Sequence, residues 1–296
     1  MIERGKSTSG AILSTAALGR GLLPLAVALA LAGCETVGGV SGSRGVAELV
    51  QDNTEAAKTD IASLSEVIRA NPNDPQAYNA RGAAYARTGR YSDAMSDFTQ
   101  AIRLDPNFAA AYTNRALSLR QTGRDDQALA DFNRAIQADP NYAPAYLGRA
   151  NLLRVKGDFN QALADLSRVI QLNPESAEAY HARGLVYQRQ GQNELAIADF
   201  RSAIDRNPFA GAPYAARGQS LVAVGKYKEA IEDFNAALNA DNRNAVAWAW
   251  RGVALERLGD RTQATESYQR ALAIDSSNQV AREGMSRVGG GLALFR

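Results

Sequence analysis

The sequence predicts an all-α protein, a solenoid of six helix hairpins with a capping helix at each end. Two observations carry this prediction. Arginine, alanine and glycine each recur at a spacing of 34 residues through six consecutive copies. Within each copy, apolar and small residues follow the period of an α-helix in two stretches, which a glycine separates. A fixed period of this length is typical of stacked two-helix units that share one continuous core.

Residues 1–33 have the composition of an export signal. Three basic residues and one acid occupy positions 1–20, and an uncharged apolar run of twelve residues follows at 21–32. A basic start, a short apolar run and small residues at a cut site describe a cleaved signal peptide. The alternative, a membrane-spanning anchor, needs roughly 20 apolar residues. Extending the run upstream would bury Arg20, at a cost of roughly 2.5–3.5 kcal/mol.

Cys34 is the only cysteine, and it directly follows this run. The stretch Leu31 to Cys34 resembles the bacterial lipobox, which implies a diacylglycerol on the cysteine sulfur and cleavage just before it. An ordinary cleaved signal with an incidental cysteine is the alternative. In Gram-negative lipoproteins an aspartate after the cysteine retains the protein at the inner membrane. Glu35 at that position therefore implies a lipid-anchored protein of the outer membrane that faces the periplasm.

Residues 34–52 contain the stretch ETVGGVSGSRG, whose glycine and serine content predicts a flexible tether. The signal holds three of the 33 basic residues and one of the 31 acidic residues, so the chain from Cys34 onward has 30 of each. This balance argues against nucleic acid as a partner, because capture of nucleic acid relies on excess positive charge. No thiol beyond Cys34 is present to form a disulfide.

The first copy shows how the hairpin is encoded. Tyr78, Gly82 and Tyr85 lie at i, i+4 and i+7, on one face of a first helix. Gly89 ends that helix, because glycine accepts the left-handed conformation after a helix cap. A second helical face follows at 94–102, and Pro106 closes the unit.

The stretches YNARGAAY, AMSDF and LDP of this copy resemble the tetratricopeptide repeat (TPR) pattern, and the resemblance extends over residues 75–278. It implies a right-handed superhelical array, assigned here to residues 74–278, whose first helices line a concave protein-binding groove. One departure recurs in all six copies: an arginine stands where the family has leucine before the small residue.

These arginines have aspartates as candidate partners, sixteen residues later on the second helix. The five Arg and Asp positions are Arg81, Asp97, Arg115, Asp131, Arg149, Asp165, Arg183, Asp199, Arg217 and Asp233. In the sixth copy Ser267 replaces the aspartate, so one arginine faces a serine in either pairing, Ser267 or Ser63. Equal numbers of opposite charges at the packing period favour structural ion pairs over a ladder of charges for a ligand. The spacing leaves open whether each pair forms within one copy or between neighbours.

Residues 53–73 and 279–296 are predicted to cap the array. The first segment fits the second-helix half of a seventh unit, with Leu64, Val67, Ile68 and Pro72 in the repeat's apolar and proline columns. The second continues the register with polar residues where Tyr and Gly stood, and it ends in the glycine-rich tail GGGLALFR.

No enzyme is predicted. His181 is the only histidine, and metal and nucleophilic sites usually need several His or Cys side chains. We therefore expect neither metal nor cofactor, apart from the lipid on Cys34. As a first-helix residue of the TPR pattern, His181 is expected in a solvated groove.

The resemblance to TPR proteins also supplies the candidate groove residues. They are Asn79, Arg87, Thr113, Leu117, Arg120, Leu147, Asn151, Arg154, His181, Gln188, Arg189, Gln219, Glu256 and Arg257. The Lys and Asn pair with which one TPR subclass holds chaperone C-termini is absent from the first helices. Four of these arginines form a basic stripe, and they are Arg87, Arg120, Arg154 and Arg189. The stripe either receives acidic segments or only complements the helix dipoles.

Two functions follow from these features. The first is an envelope adaptor, a lipid-anchored scaffold that binds envelope proteins or peptides, such as peptidoglycan-modifying enzymes or proteases, in its concave groove. The second is an assembly or pilot lipoprotein for a pilus or secretion system.

Overall fold

The computed structural model describes residues 54–289, and all the regular secondary structure in this part of the chain is α-helical. Its fourteen helices are α1 (Thr54–Ala70), α2 (Pro75–Arg87), α3 (Tyr91–Leu104), α4 (Ala109–Gln121), α5 (Asp125–Ala138), α6 (Ala143–Lys156), α7 (Phe159–Leu172), α8 (Ala177–Arg189), α9 (Asn193–Arg206), α10 (Gly211–Ala223), α11 (Tyr227–Ala240), α12 (Ala245–Arg257), α13 (Arg261–Ile274) and α14 (Gln279–Gly289). The predicted fold class is confirmed. The signal segment, Cys34, the tether and the end of the tail lie outside the described residues.

The six hairpins run from α2 with α3 to α12 with α13, and each hairpin packs against the next. A glycine ends the first helix of every hairpin in the left-handed conformation, with φ between 73° and 86°. None of the described helices is both long enough and apolar enough to cross a membrane.

An aromatic ring packs against a glycine backbone between the two helices of the hairpin. A Cβ atom at Gly82 would lie 2.6 Å from the Phe98 ring, so only glycine allows this approach. In copy two Ala116 replaces the glycine, and the Phe132 ring instead lies against Gly148 of the following copy. The side chain that follows in the same column is the smaller Leu166, which is fully buried. The core is therefore continuous from one copy to the next.

The two terminal helices cover the ends of the array, which is consistent with the predicted caps. In α1, Ile68 is buried, but Val67 is 47% exposed although it falls in an apolar column. In α14, Ala281, Gly284 and Val288 are buried against the last hairpin.

An ion pair joins each cap to a first helix. Asp60 of α1 accepts a hydrogen bond of 2.9 Å from Arg87 of α2. Arg287 of α14 donates hydrogen bonds of 2.8 and 3.0 Å to Glu256 of α12, which also accepts one of 2.6 Å from Tyr268.

Candidate functional site

The repeated arginines contact the aspartates of their own copy. Arg81 donates from Nε to Asp97 Oδ2 at 2.7 Å and from Nη2 to Oδ1 at 2.8 Å. The same two-bond geometry, at 2.7–2.8 Å, recurs in copies two to five. All five aspartates are buried, whereas the arginine side chains keep 16–23% of their surface exposed. Two parallel bonds to a carboxylate are the strongest arrangement open to a guanidinium group.

The remaining arginine nitrogen joins neighbouring copies. Nη1 of Arg81 donates to Ser65 Oγ of the preceding helix at 3.1 Å, and Nη1 of Arg149 donates to Asn133 Oδ1 at 2.6 Å. The residue that accepts this bond always lies sixteen positions before the arginine. It is Ser65, Thr99, Asn133 or Ser167 in copies one to four. This polar column was not predicted, although its 34-residue spacing is visible in the sequence.

Each repeated arginine also lies over the aromatic ring three residues earlier, with 5.6–5.8 Å between guanidinium carbon and ring centroid. In copies one to five the hydrogen bonds to aspartate raise the pKa of the arginine. In copy six Arg251 bonds Ser267 Oγ at 2.7 Å and Asn235 Oδ1 at 2.8 Å, and burial lowers its pKa. The charged groups of these arginines thus bond to side chains of the helices that pack against them.

A cleft of about 1080 Å³ lies between the second helices α3 and α5. Two of the ion pairs, Arg81 with Asp97 and Arg115 with Asp131, form part of its wall. Arg103 and Arg124 also line it, and their guanidinium groups donate to the side chains of Gln100 and Gln127. The four arginines and two aspartates named here as lining the cleft therefore already bond to other side chains of the protein.

Several predicted groove residues also bond within the array. Arg87 pairs with Asp60, and Glu256 pairs with Arg287. Gln188 donates to the Ala216 carbonyl at 3.0 Å and to Ser220 Oγ at 2.9 Å. These contacts join neighbouring helices.

The remaining groove residues differ in exposure and bonding. Asn79 accepts from Asn114 at 3.0 Å, and Thr113 is buried and donates to the Ala109 carbonyl at 3.0 Å. Arg189 and Arg257 are exposed. Leu117, Leu147 and Gln219 are partly exposed.

Arg120, Arg154 and Arg189 form the part of the basic stripe that we call the cationic cluster. Burial lowers the pKa of Arg154, and the positive charges of Arg189 and Arg120 lower it further. Among residues 59–289, no carboxylate lies within 4.0 Å of Arg154 or Arg189. The like charges of Arg154 and Arg189 therefore lie near each other without the carboxylates that balance the arginines of the repeated column.

Two buried polar atoms beside these charges make no hydrogen bond with the described residues. They are Nε of Arg154 and Oδ1 of Asn151, which lies one turn earlier on α6. Asn151 is 1% exposed, and its amide nitrogen donates to the Leu147 carbonyl at 3.0 Å. A buried donor or acceptor without a partner costs about 1–3 kcal/mol, and most such groups in folded proteins have one. Arg154 as a whole is only partly exposed.

His181 of α8 lies next to Arg154. Burial lowers its pKa to about 4, and the charge of Arg154 contributes to the shift. Its ring centroid is 5.7 Å from that of Phe200, with 50° between the ring planes. His181 is therefore neutral at pH 7 and only partly exposed, not solvated as expected.

Across the part of the chain that the structure describes, no three His, Cys, Asp or Glu side chains form a group that could hold a metal ion.

Solved structures share this architecture. A chain of the APC/C hetero-tetramer Cut9-Hcn1 matches with a TM-score of 0.69 and 19% identity over 80% of this chain, which spans only 47% of that one. YrrB, a TPR protein with an unusual peptide-binding site, matches with a TM-score of 0.54 and 25% identity, over 64% of this chain and 97% of YrrB. PilW, a type IV pilus biogenesis factor, matches with a TM-score of 0.64 and 17% identity, over 71% of this chain and 97% of PilW.

Family models agree with the structures. Models of the tetratricopeptide repeat match residues 44–107, 89–143 and 215–279, and also 177–209. A further model of the TPR repeat matches residues 150–191. A search of curated proteins found no match. Because these models match more than half of the sequence, the chain belongs to the tetratricopeptide repeat family.

Proposed function

We propose that this protein is a membrane-anchored TPR lipoprotein that serves as an interaction scaffold in the bacterial cell envelope. TPR repeats commonly bind proteins or peptides, and YrrB is a TPR protein with a peptide-binding site. The observation that carries the proposal is the cationic cluster on the first helices of copies two to four. In it, Arg154 and Arg189 have no carboxylate of residues 59–289 within 4.0 Å, whereas the other column of arginines is paired with aspartates.

The charges of the array favour an acidic partner. Arg154 and Arg189 repel each other, and Nε of Arg154 is buried without an acceptor. A carboxylate placed between them would offset the repulsion and accept that hydrogen bond, and charge-assisted bonds of this kind are among the strongest in proteins. An acidic or carboxylate-bearing segment of an envelope protein therefore fits the groove.

The envelope assignment is supported by the sequence before the array. The basic start, the apolar run and the small residues before Cys34 resemble a lipoprotein signal, and Glu35 favours the outer membrane. A tether of Gly and Ser would keep the array in the periplasm, close to the membrane. Peptidoglycan-modifying enzymes and proteases are the partners that a scaffold in this position would gather.

The fold of the array and the properties of His181 in its groove agree with a binding role without catalysis. TPR folds are generally non-catalytic interaction modules. His181, the only histidine, has a pKa of about 4, which is far below the value near 7 that suits a general base.

A role in assembly or piloting of a pilus or secretion component is the second candidate. The similarity in fold to PilW, a type IV pilus biogenesis factor, favours it. Both candidates use a lipid-anchored TPR array, and they differ in the partner.

Co-purification from detergent extracts of cells tests the function. Envelope hydrolases or proteases recovered with the wild-type protein would support the adaptor, and secretin or pilus subunits would support the pilot. Recovery of no envelope protein would contradict both.

The anchor is tested separately with Cys34→Ser. We expect this variant to remain an uncut precursor that takes up no labelled fatty acid. A variant that migrates as mature protein and still incorporates the label would overturn the lipid assignment.

A further inference from the structure

We propose that the groove binds an extended segment in which an aliphatic residue stands three positions from an acidic one, so that the acid pairs with Arg189 and the aliphatic side chain packs on Val155. This inference rests on the proposed scaffold function and specifies the ligand of its groove. It uses two side chains that are open to solvent on neighbouring first helices.

Arg189 is the exposed member of the cationic cluster. It is the last residue of α8, and no carboxylate of residues 59–289 lies within 4.0 Å of it. The charge of Arg189 lowers the pKa of the nearby Arg154, so the two like charges repel each other. An acid that pairs with Arg189 reduces this repulsion, and it therefore gains more here than beside an isolated exposed arginine.

Val155 is an apolar side chain that is open to solvent next to these charges. It is 68% exposed, and among the large apolar side chains of the described residues only Phe209 is more exposed. Val155 directly follows Arg154, and it occupies on α6 the place that Arg189 occupies on α8, 34 residues later. Single exposed apolar residues are common on protein surfaces. This one, however, lies at a groove position beside a charge that has no carboxylate partner.

The spacing of the two helices selects the spacing in the ligand. Helices α6 and α8 contact each other, and packed helices are about 8–10 Å apart. A chain in the polyproline II conformation has three residues per turn and rises about 3.1 Å per residue, so residues i and i+3 share one side and lie about 9 Å apart. In a β-strand, the residues that share one side are only about 7 Å apart. A polyproline II segment with its aliphatic residue three positions from the acid thus matches Val155 and Arg189.

The two contacts act together to select a ligand. An ion pair with an exposed arginine contributes little by itself, and one aliphatic side chain removes only a small apolar area from water. A segment that has only the acid, or only the aliphatic residue, gains one of these weak contacts. A segment that has both at the matching spacing gains the two, so the groove discriminates among acidic segments by their aliphatic neighbour.

The probes are four short peptides, N-terminally labelled with fluorescein and amidated at the C-terminus. The first is Leu-Pro-Ser-Glu-Pro-Ser-Leu, with leucine three positions from the acid on both sides, so that it fits whichever way the chain runs. In the second, serine replaces both leucines. In the third, glutamine replaces the glutamate, and the fourth carries both changes. Binding to the full chain in detergent is followed by fluorescence anisotropy.

We expect the first peptide to bind about fivefold more tightly than the second or the third, and more than about tenfold more tightly than the fourth. Val155→Ser should weaken the first peptide about fivefold and leave the second unchanged, because the second has no leucine to lose. Arg189→Gln should weaken the first and second peptides about fivefold and leave the third unchanged, because the third has no acid.

Two control variants make the same changes outside the proposed site. Val67→Ser alters a valine of α1 that is 47% exposed. Arg134→Gln removes a charge from second helix α5, where Arg134 is exposed and donates to Gln137. Each control should change the affinity for the first peptide by less than about twofold.

Equal affinity for the first and second peptides would overturn the aliphatic contact. A Val155→Ser variant that weakens both of them equally would also overturn it, since the loss would then not depend on leucine. Equal losses in Arg189→Gln and Arg134→Gln would overturn the pairing of the acid with Arg189. If none of the peptides binds while an envelope partner still co-purifies, this inference is wrong and the scaffold function stands. Peptides that bind as expected, without any envelope partner in the extracts, would uphold the site and contradict the proposed function.

Discussion

Arg149 of α6 donates two hydrogen bonds of 2.7 Å to the two carboxylate oxygens of Asp165 on α7, and a third of 2.6 Å to Asn133 of the preceding copy. One side chain thus joins the two helices of a hairpin and also joins that hairpin to its neighbour. In a repeat array, stability is approximately the sum of the stability of each copy and that of each interface. A side chain that contributes to both terms accounts for an arginine at the position where the family has leucine.

Asp165→Ala should lower the stability of the array by about 1–3 kcal/mol, because it leaves the partly buried Arg149 without its carboxylate. Chemical unfolding followed by circular dichroism measures the change. Asp126→Ala is the control: Asp126 also pairs with a cation, Lys156, but its side chain is 90% exposed. Exposed pairs contribute little, so this variant should unfold almost as the wild type does. Equal effects of both variants would contradict a structural role for the buried pair.

Ser267→Asp should stabilise the last hairpin. Ser267 is fully buried and takes the place of the aspartate in copy six, where burial lowers the pKa of Arg251. A carboxylate there would complete a sixth ion pair and add about 1 kcal/mol, the contribution of a typical net hydrogen bond. Slower amide hydrogen exchange in α12 and α13 is the expected result. Faster exchange would contradict this prediction, because it would mean that the free-energy cost of burying the carboxylate exceeds the stabilisation by the ion pair.

Acidification should destabilise the array through His181. Its pKa is about 4 in the folded protein and about 6.5 in the unfolded chain, so the unfolded chain binds more protons between these values. Stability should therefore be unaffected above pH 6.5 and should fall by up to about 3 kcal/mol as the pH drops to 4. His181→Gln isolates this effect, since carboxylates that titrate near pH 4 remain in both proteins. Parallel stability curves for the two proteins between pH 6.5 and 4 would contradict the assignment.

The sequence predicts the hairpins well because six copies specify each column independently. A glycine every 34 residues, each with positive φ, leaves little freedom in where the first helices end. The partner of each arginine was not predictable, because an aspartate precedes most arginines by eighteen residues and follows them by sixteen. Only the packing of the helices decides between these two spacings.

The candidate groove was predictable as a set of positions but not in its electrostatics. Arg87 and Arg154 look alike in the sequence, as basic residues near the ends of first helices. In the structure Arg87 pairs with Asp60 of the capping helix, whereas Arg154 lies among other arginines. That difference depends on contacts between separate helices, which one copy of the repeat does not encode.

The most direct test of the account combines charge reversal with partner recovery. The double variant Arg120→Glu and Arg154→Glu is compared with Arg103→Glu and Arg134→Glu, which makes the same change of charge on second helices α3 and α5. Circular dichroism verifies that both variants are folded, and partners are recovered from detergent extracts at low and high salt. We expect the first variant to lose the partner and the second to retain it, with weaker recovery at high salt, because exposed charges are screened over about 8–10 Å at 0.10–0.15 M. A partner that both variants retain, at either salt concentration, would contradict recognition by the cationic cluster.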